Sequence, residues 1–371
     1  MGDRCRLARV LSIVGQILLY SLAFAGVLWI YDILTRRLTY RPRPDEVHYV
    51  TTSDGWRLAV ARFAPEAPAP DRLPVIVCPG IGVNGAMFDY PGEGDDIPLI
   101  RWLNQRGWDV WLAEVRGVGG SRHQPDGAPS DWTFDTLGEI DVPAIIDTVC
   151  ERTNSPAACW IGHSLGGMML VHQMARHNPR LAAAVWVGSA VTFEHQPLLA
   201  NARRAGRLFG FRRLAVKGLS RWLAPAGSVL VTWPSTLFFR PQNVRAPLRR
   251  ALLASIVEPI ASGLMKQLAL GTERKHLVSA DGQRDLVAPL RDNRTPVLLV
   301  AGSDDRIAPV AAVQHTFEHI GGPASLIVVG KDTGASVDYG HGDLLMGETS
   351  ATEIYPKIDA WLCQHAACEQ E

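Results

Sequence analysis

The stretch that most constrains the fold is Cys159–Leu170, CWIGHSLGGMML. An apolar strand end runs into Gly162-His163-Ser164-Leu165-Gly166-Gly167 and then into an apolar helix start. Gly-x-Ser-x-Gly in that setting predicts a sharp strand-to-helix turn whose small neighbours let Ser164 stand exposed in a strained backbone conformation. The helix behind it turns the positive end of its dipole toward any negative charge developing at the serine. Such a turn needs a buried strand before it and a covering helix after it, so it demands an α/β architecture.

The rest of the chain supplies one. "VHYVTT" and "RLAVARFA" flank Ser53-Asp54-Gly55 and predict a hairpin. Apolar runs at 74–78, 109–115, 157–161, 182–188, 297–302 and 325–330 predict strands. Helical patterns near 97–105, 137–151, 165–175, 310–320 and 352–364 alternate with them. Short apolar strands alternating with helices imply a mostly parallel sheet with helices on both faces. The alternation is interrupted from about 190 to 290, which reads as an inserted, mainly helical cap.

A serine hydroxyl is a weak nucleophile until a base accepts its proton. Eleven histidines compete for that role. His163 adjoins the serine, and its side chain is expected to point away across the turn and pack. His48, His123, His172, His177, His195, His276, His315, His319 and His365 fall in predicted strands, helices, the insertion or the tail. His341 lies in "DYGHGDLLMG", a glycine-rich loop after the last predicted strand, where the order Ser, acid, His puts the base. The acid is expected after "VLLVAG", in Gly302-Ser303-Asp304-Asp305. Asp305 is the expected orienting carboxylate and Asp304 a turn or cap residue. A tetrahedral oxyanion also needs backbone donors. Leu165 N–H and Ile81 N–H are the candidates, because Pro79 of Pro79-Gly80-Ile81-Gly82 has no N–H to give.

With these residues in place the chain resembles the α/β-hydrolase superfamily, and within it the acid (gastric and lysosomal) lipase branch. "NGAMFD", "GWDVWLAEVRG", "TFDTLGEIDVPAIIDTV", "GHSLGG", "AGSDDRIAP" and "GHGDLLMG" occur in the order that branch uses. The resemblance covers about Val47 to Val191 and Pro296 to Leu362. It implies an α/β-hydrolase fold, triad roles for Ser164, Asp305 and His341, oxyanion roles for Ile81 and Leu165, and no cofactor or metal. The family's His-Gly before the oxyanion loop is Pro79-Gly80 here, and the insertion shows no match. The implied activity is cleavage of carboxylic, lipid or acyl, esters through an acyl-enzyme. An acyltransferase using the same triad and a non-catalytic binding protein are the alternatives. Serine at position 164 excludes the aspartate-nucleophile dehalogenases and epoxide hydrolases.

From Val10 to Tyr31 the chain carries no charged residue. Twenty-two helical residues span about 33 Å, enough to cross a bilayer core. Arginines flank the run on both sides, so orientation stays open. A single-pass signal anchor is expected, with cleavage at Ala23-Phe24-Ala25 and secretion as the alternative. The expected organisation is a basic tail (1–9), an anchor (10–31), a linker (32–45), a hydrolase core (46–190 and 291–371) and a basic cap (191–290).

A formal net charge of zero hides an asymmetry. Gln196 to Val257 holds eleven Lys and Arg and no Asp or Glu, so the remainder of the chain is equally acidic. Within it, "RLFGFRRLAVKGLSRWL" (207–223) has helical order, with Leu208, Phe211, Leu219 and Trp222 on one face and Arg213, Lys217 and Arg221 opposite. It is expected to be a cap helix whose outer charges face solvent or anionic headgroups. No nucleic-acid motif accompanies the charge. The six cysteines lack metal spacing and are expected to be mostly buried or unpaired thiols.

Overall fold

The computed structural model describes residues 2–121, 131–196, 220, 221, 223–226 and 233–365. Eight strands form one sheet: β1 (Glu46–Thr51), β2 (Arg57–Phe63), β3 (Val75–Cys78), β4 (Val110–Glu114), β5 (Ala158–His163), β6 (Leu181–Val187), β7 (Val297–Gly302) and β8 (Ala324–Val329). Their spatial order is β1-β2-β4-β3-β5-β6-β7-β8. The β1–β2 hairpin and the β2–β4 pair are antiparallel, and every pairing from β4 to β8 is parallel.

The parallel strands are apolar throughout because both faces are covered. β3, β5 and β7 are buried at every position. Successive side chains go to opposite faces, so Trp160 and Leu299 join one core layer while Ile161 and Leu298 join the other. Helix α2 (Leu99–Asn104) covers the second layer, and α3 (Val142–Thr153) covers the first. The first layer also takes the short helices α4 (Leu165–Met168) and α5 (Val171–Ala175). The insertion contributes α6 (Trp233–Phe238), α7 (Ala246–Ser255) and α8 (Ser262–Arg274). Helix α9 (Val310–Phe317) completes the first layer, and α10 (Tyr355–His365) the second.

Two helices expected to be continuous are broken. The 165–175 pattern is split after α4, where the Leu170 N–H bonds Gly167 rather than Gly166. The glycines that let this segment pack on its neighbours also loosen the helix. The 352–364 pattern is split at Ile354, because Pro356 has no N–H to continue the preceding turn.

At the N-terminus helix α1 runs from Gly2 to Leu38. Its Leu18–Leu38 portion is long and apolar enough to cross a membrane. The helix outlasts the apolar run by seven residues, with Asp32 and Arg36 paired one turn apart at 2.6 Å. Residues 32–38, expected as linker, are therefore helical, and the segment after them is docked rather than loose. Tyr40 N–H donates to Ser255 Oγ (3.0 Å) and Tyr40 OH to the Ala86 carbonyl (2.9 Å). Arg43 N–H donates to Asp89 Oδ2 at 2.8 Å.

The basic amphipathic stretch 207–223 falls almost wholly outside the described residues. Two basic residues farther along the insertion meet carboxylates outside it. Arg240 pairs with Asp304, and Arg245 pairs with Glu93 and with Asp96 at 2.8 Å. These charges hold the insertion on the acidic body, and are not free for headgroups. Cys78, Cys150 and Cys159 are buried thiols outside any disulfide, and Cys363 is an exposed one. Burial pushes the Cys150 thiol up to about 11 and the Cys78 thiol up as well, so neither is a ready nucleophile.

Candidate active site

The site lies at the carboxyl ends of the central strands, where an open α/β sheet leaves a crevice. Ser164 follows β5 directly, with φ 53° and ψ −119°. A non-glycine residue there is strained, by about 1–3 kcal/mol, and the surroundings enforce it. Ser164 N–H donates to the Val187 carbonyl (2.9 Å), while the Ser164 carbonyl accepts from Gly167 N–H (3.1 Å) and Ser189 Oγ (2.8 Å).

The glycines of the motif are required by contact. A Cβ on Gly162 would collide with the backbone of Gly166 and Gly167, and one on Gly166 with the carbonyls of Cys78 and Pro79. Those atoms are backbone and cannot step aside. Gly166→Ala is therefore expected to destabilise the fold by at least about 1–3 kcal/mol, read as a lower urea midpoint with unchanged slope.

His341 and Asp305 meet below the turn. His341 Nδ1 lies 2.8 Å from Asp305 Oδ2, and both residues are buried. The other carboxylate oxygen, Oδ1, accepts from Ile307 N–H and Ala308 N–H, each at 2.8 Å. An acceptor-only carboxylate fixes the proton on Nδ1 and leaves Nε2 with a lone pair, the form a general base needs. Asp304 stands in a turn, as expected, and its carboxylate pairs with Arg240 of the insertion.

Ser164 is tied to this pair through His163. The His163 ring does not point away from the site: it packs 4.6 Å, centroid to centroid, from the His341 ring. His163 Nε2 is 3.1 Å from the His341 carbonyl. A carbonyl can only accept, so Nε2 carries a hydrogen, while the buried Nδ1 has no hydrogen-bond partner among the described residues. Burial, with His341 beside it, holds the His163 pKa well below the ordinary imidazole range. His163 braces the backbone of His341.

The oxyanion candidates flank the serine. A Cβ on Gly80 would stand 3.0 Å from the Ser164 Cβ, so that loop lies against the nucleophile position. Ile81 and Leu165 both line a narrow cavity of about 20 Å³, with Val115, Trp132 and Ile260 on other walls. The insertion pins this loop. Asn84 N–H donates to the Ile256 carbonyl (2.9 Å), and Glu258 N–H to the Gly82 carbonyl (2.8 Å). Asn84 Nδ2 holds both the buried Glu258 carboxylate (2.8 Å) and the Ser255 carbonyl (2.9 Å).

Several residues that sequence reasoning passed over complete the site. Phe238 of α6 packs edge-on against His341 and His163, at 5.9 and 6.2 Å, and its carbonyl accepts from Gly342 N–H at 2.5 Å. Asp343 is buried and accepts from Gly340 N–H (3.0 Å), Asn243 Nδ2 (2.6 Å) and Arg240 N–H (3.1 Å). Burial raises its pKa above the usual carboxylate range despite these donors. Gly188, at φ +59°, ends β6, and a Cβ there would approach His341 Nδ1 to 3.1 Å and Asp305 Oδ2 to 3.3 Å. Arg116, fully buried on the cavity wall, joins Asp141 (2.6 Å) and Asp54 (2.5 Å). Only Gly188 had a local signal, a glycine ending an apolar strand.

Residues 74–331 match the family described as the alpha/beta hydrolase fold, which is more than half of the chain. The chain belongs to the alpha/beta hydrolase fold family. Triacylglycerol lipase 2 of Arabidopsis thaliana is 35% identical over 136 residues, covering 33% of this chain and 32% of the relative. Gastric triacylglycerol lipase of Bos taurus is 30% identical over 142 residues, covering 36% and 35%. The match thus spans about a third of the length of these relatives. Among solved structures, a membrane phospholipase A described as a bacterial virulence factor superposes with a TM-score of 0.54. That superposition covers 95% of this chain and 97% of the other at 15% identity, a likeness of fold alone.

Proposed function

We propose that this alpha/beta hydrolase is a membrane-anchored serine hydrolase of carboxylic esters, with lipid or acyl esters as its substrate class. Ser164 Oγ attacks the ester carbonyl while His341 Nε2 takes its proton, and Asp305 keeps the imidazole oriented and stabilises its charged form. Ile81 and Leu165 N–H groups receive the oxyanion. His341 then protonates the leaving alcohol, and water releases the acid from the acyl-enzyme by the reverse sequence.

The observation that carries this reading is the buried His341–Asp305 contact at 2.8 Å beside a serine held in strained backbone. The lipid assignment draws on the names of the lipase relatives and on the apolar α1. Purified full-length protein is expected to hydrolyse p-nitrophenyl esters of graded chain length, faster for long chains when micelles are present. Folded protein that turns over none of them would overturn the reading. The anchor is tested separately. Full-length protein is expected to stay in the membrane pellet after alkaline carbonate and high-salt washes, and to leave it only in detergent. Release by either wash would mean that α1 does not span.

A further inference from the structure

Away from Ser164, one group of metal-ligating side chains converges among the described residues. The ligand atoms of Glu194, His195 and His315 all lie within 4.8 Å of one another. Glu194 and His195 stand where the chain leaves the core for the insertion, and His315 is on α9, the helix that follows the Asp305 loop. His195 meets His315 edge-on, with centroids 5.6 Å apart. His319, one turn further along, packs edge-on against His315 at 4.7 Å.

Two details distinguish this group from ordinary histidine packing. His315 Nδ1 is buried and has no hydrogen-bond partner among the described residues. His319 Nδ1 is 2.8 Å from the His315 carbonyl and must donate to it. Glu194, His315 and His319 also border a cavity of about 410 Å³ together with Lys275, His276 and Asp285. Lys275 Nζ holds Glu194 Oε1 at 3.0 Å, keeping a carboxylate ionised at the rim.

We infer that Glu194, His195 and His315 form a binding site for a divalent cation of the Zn²⁺ class. Two imidazoles and one carboxylate suit Zn²⁺ and its transition-metal neighbours, whereas Mg²⁺ and Ca²⁺ require sets built of oxygen. Donors around a tetrahedral ion stand about 3.3–3.5 Å apart, so the ligand atoms, which lie within 4.8 Å of one another, draw together when the ion binds. The Glu194 and His195 side chains are exposed, which leaves them room to turn toward the ion. Lys275 gives up Glu194 when the ion arrives. The bound ion joins the first residues of the insertion to α9, and so fixes how the insertion leaves the core.

The test uses untagged full-length protein in detergent, treated with chelator and then titrated with Zn²⁺ by calorimetry. Co²⁺ absorbance reports tetrahedral ligation in parallel. One equivalent is expected to bind per chain, and His195→Ala and His315→Ala should each weaken binding at least about tenfold. Lys275→Ala should tighten it, by freeing Glu194. His276→Ala, in the same cavity but outside the ligand set, should leave it unchanged. Circular dichroism confirms that each variant folds, and His195→Ala decides the matter should His315→Ala fail, because its side chain is exposed. Absence of saturable binding, or affinity unchanged in His195→Ala, would overturn the proposal.

Discussion

Ser164→Ala is expected to abolish labelling by a fluorophosphonate probe and to lower kcat for ester hydrolysis by about 10⁴–10⁶-fold. The loss is this large because the triad acts as a unit. Without Oγ, the His341–Asp305 pair has no proton to take, and the oxyanion donors retain only what they contribute to attack by water. The variant removes one atom from a buried turn, so its thermal midpoint should stay within a few degrees of wild type. Ser164→Gly sharpens the test. It removes the same oxygen but also relieves the backbone strain at φ 53°, so it should be equally inactive yet about 1 kcal/mol more stable. Labelling that persists in Ser164→Ala would mean that another residue is the nucleophile.

The second large effect separates two neighbouring aspartates. Asp305→Asn is expected to lower kcat by about 10⁴-fold with KM little changed. An amide that donates to His341 Nδ1 would select the wrong tautomer, with the proton on Nε2 and no lone pair for Ser164. Asp304→Asn leaves that geometry alone. It exchanges an ion pair with Arg240 that is more than a quarter exposed at each end for a neutral contact, worth about 1 kcal/mol or less. Its effect on kcat should stay within about tenfold, by the same scale. Steady-state kinetics on the two purified variants decide between them. Comparable losses in both would indicate that Arg240 and the insertion position the catalytic loop as strictly as Asp305 does.

Much of the fold was legible because its cause is local. A parallel strand covered on both faces must be apolar at every position, and that produced the runs at 74–78, 157–161 and 297–302. Gly-x-Ser-x-Gly is legible because each glycine answers a backbone collision that no other residue survives. Misread details lay where a local rule met a longer contact. His163 was expected to turn away, yet its ring has the His341 carbonyl to donate to and Phe238 to pack on, both far along the chain. The outer charges of 207–223, expected to face solvent or headgroups, lie almost wholly outside the described residues, whereas Arg240 and Arg245 farther along find carboxylates on the core. The charge asymmetry was visible in composition, while its complement was a matter of which surfaces meet.

The sequence by itself determined the alternating architecture, the strained serine turn and the candidate nucleophile, acid and base. Each of these is encoded within a dozen residues, by periodicity, by glycine spacing or by the order of loops. Only the tertiary structure decided what holds the candidate site in place. Glu258 and Asn84 pin the candidate oxyanion loop, Asp343 and Asn243 brace the His341 loop, and Gly188 clears room for the His341–Asp305 pair. These contacts join residues a hundred or more positions apart. A buried polar group takes whichever partner the fold brings within about 3 Å. No spacing along the chain records that choice, because it is made by the packing of the insertion on the sheet.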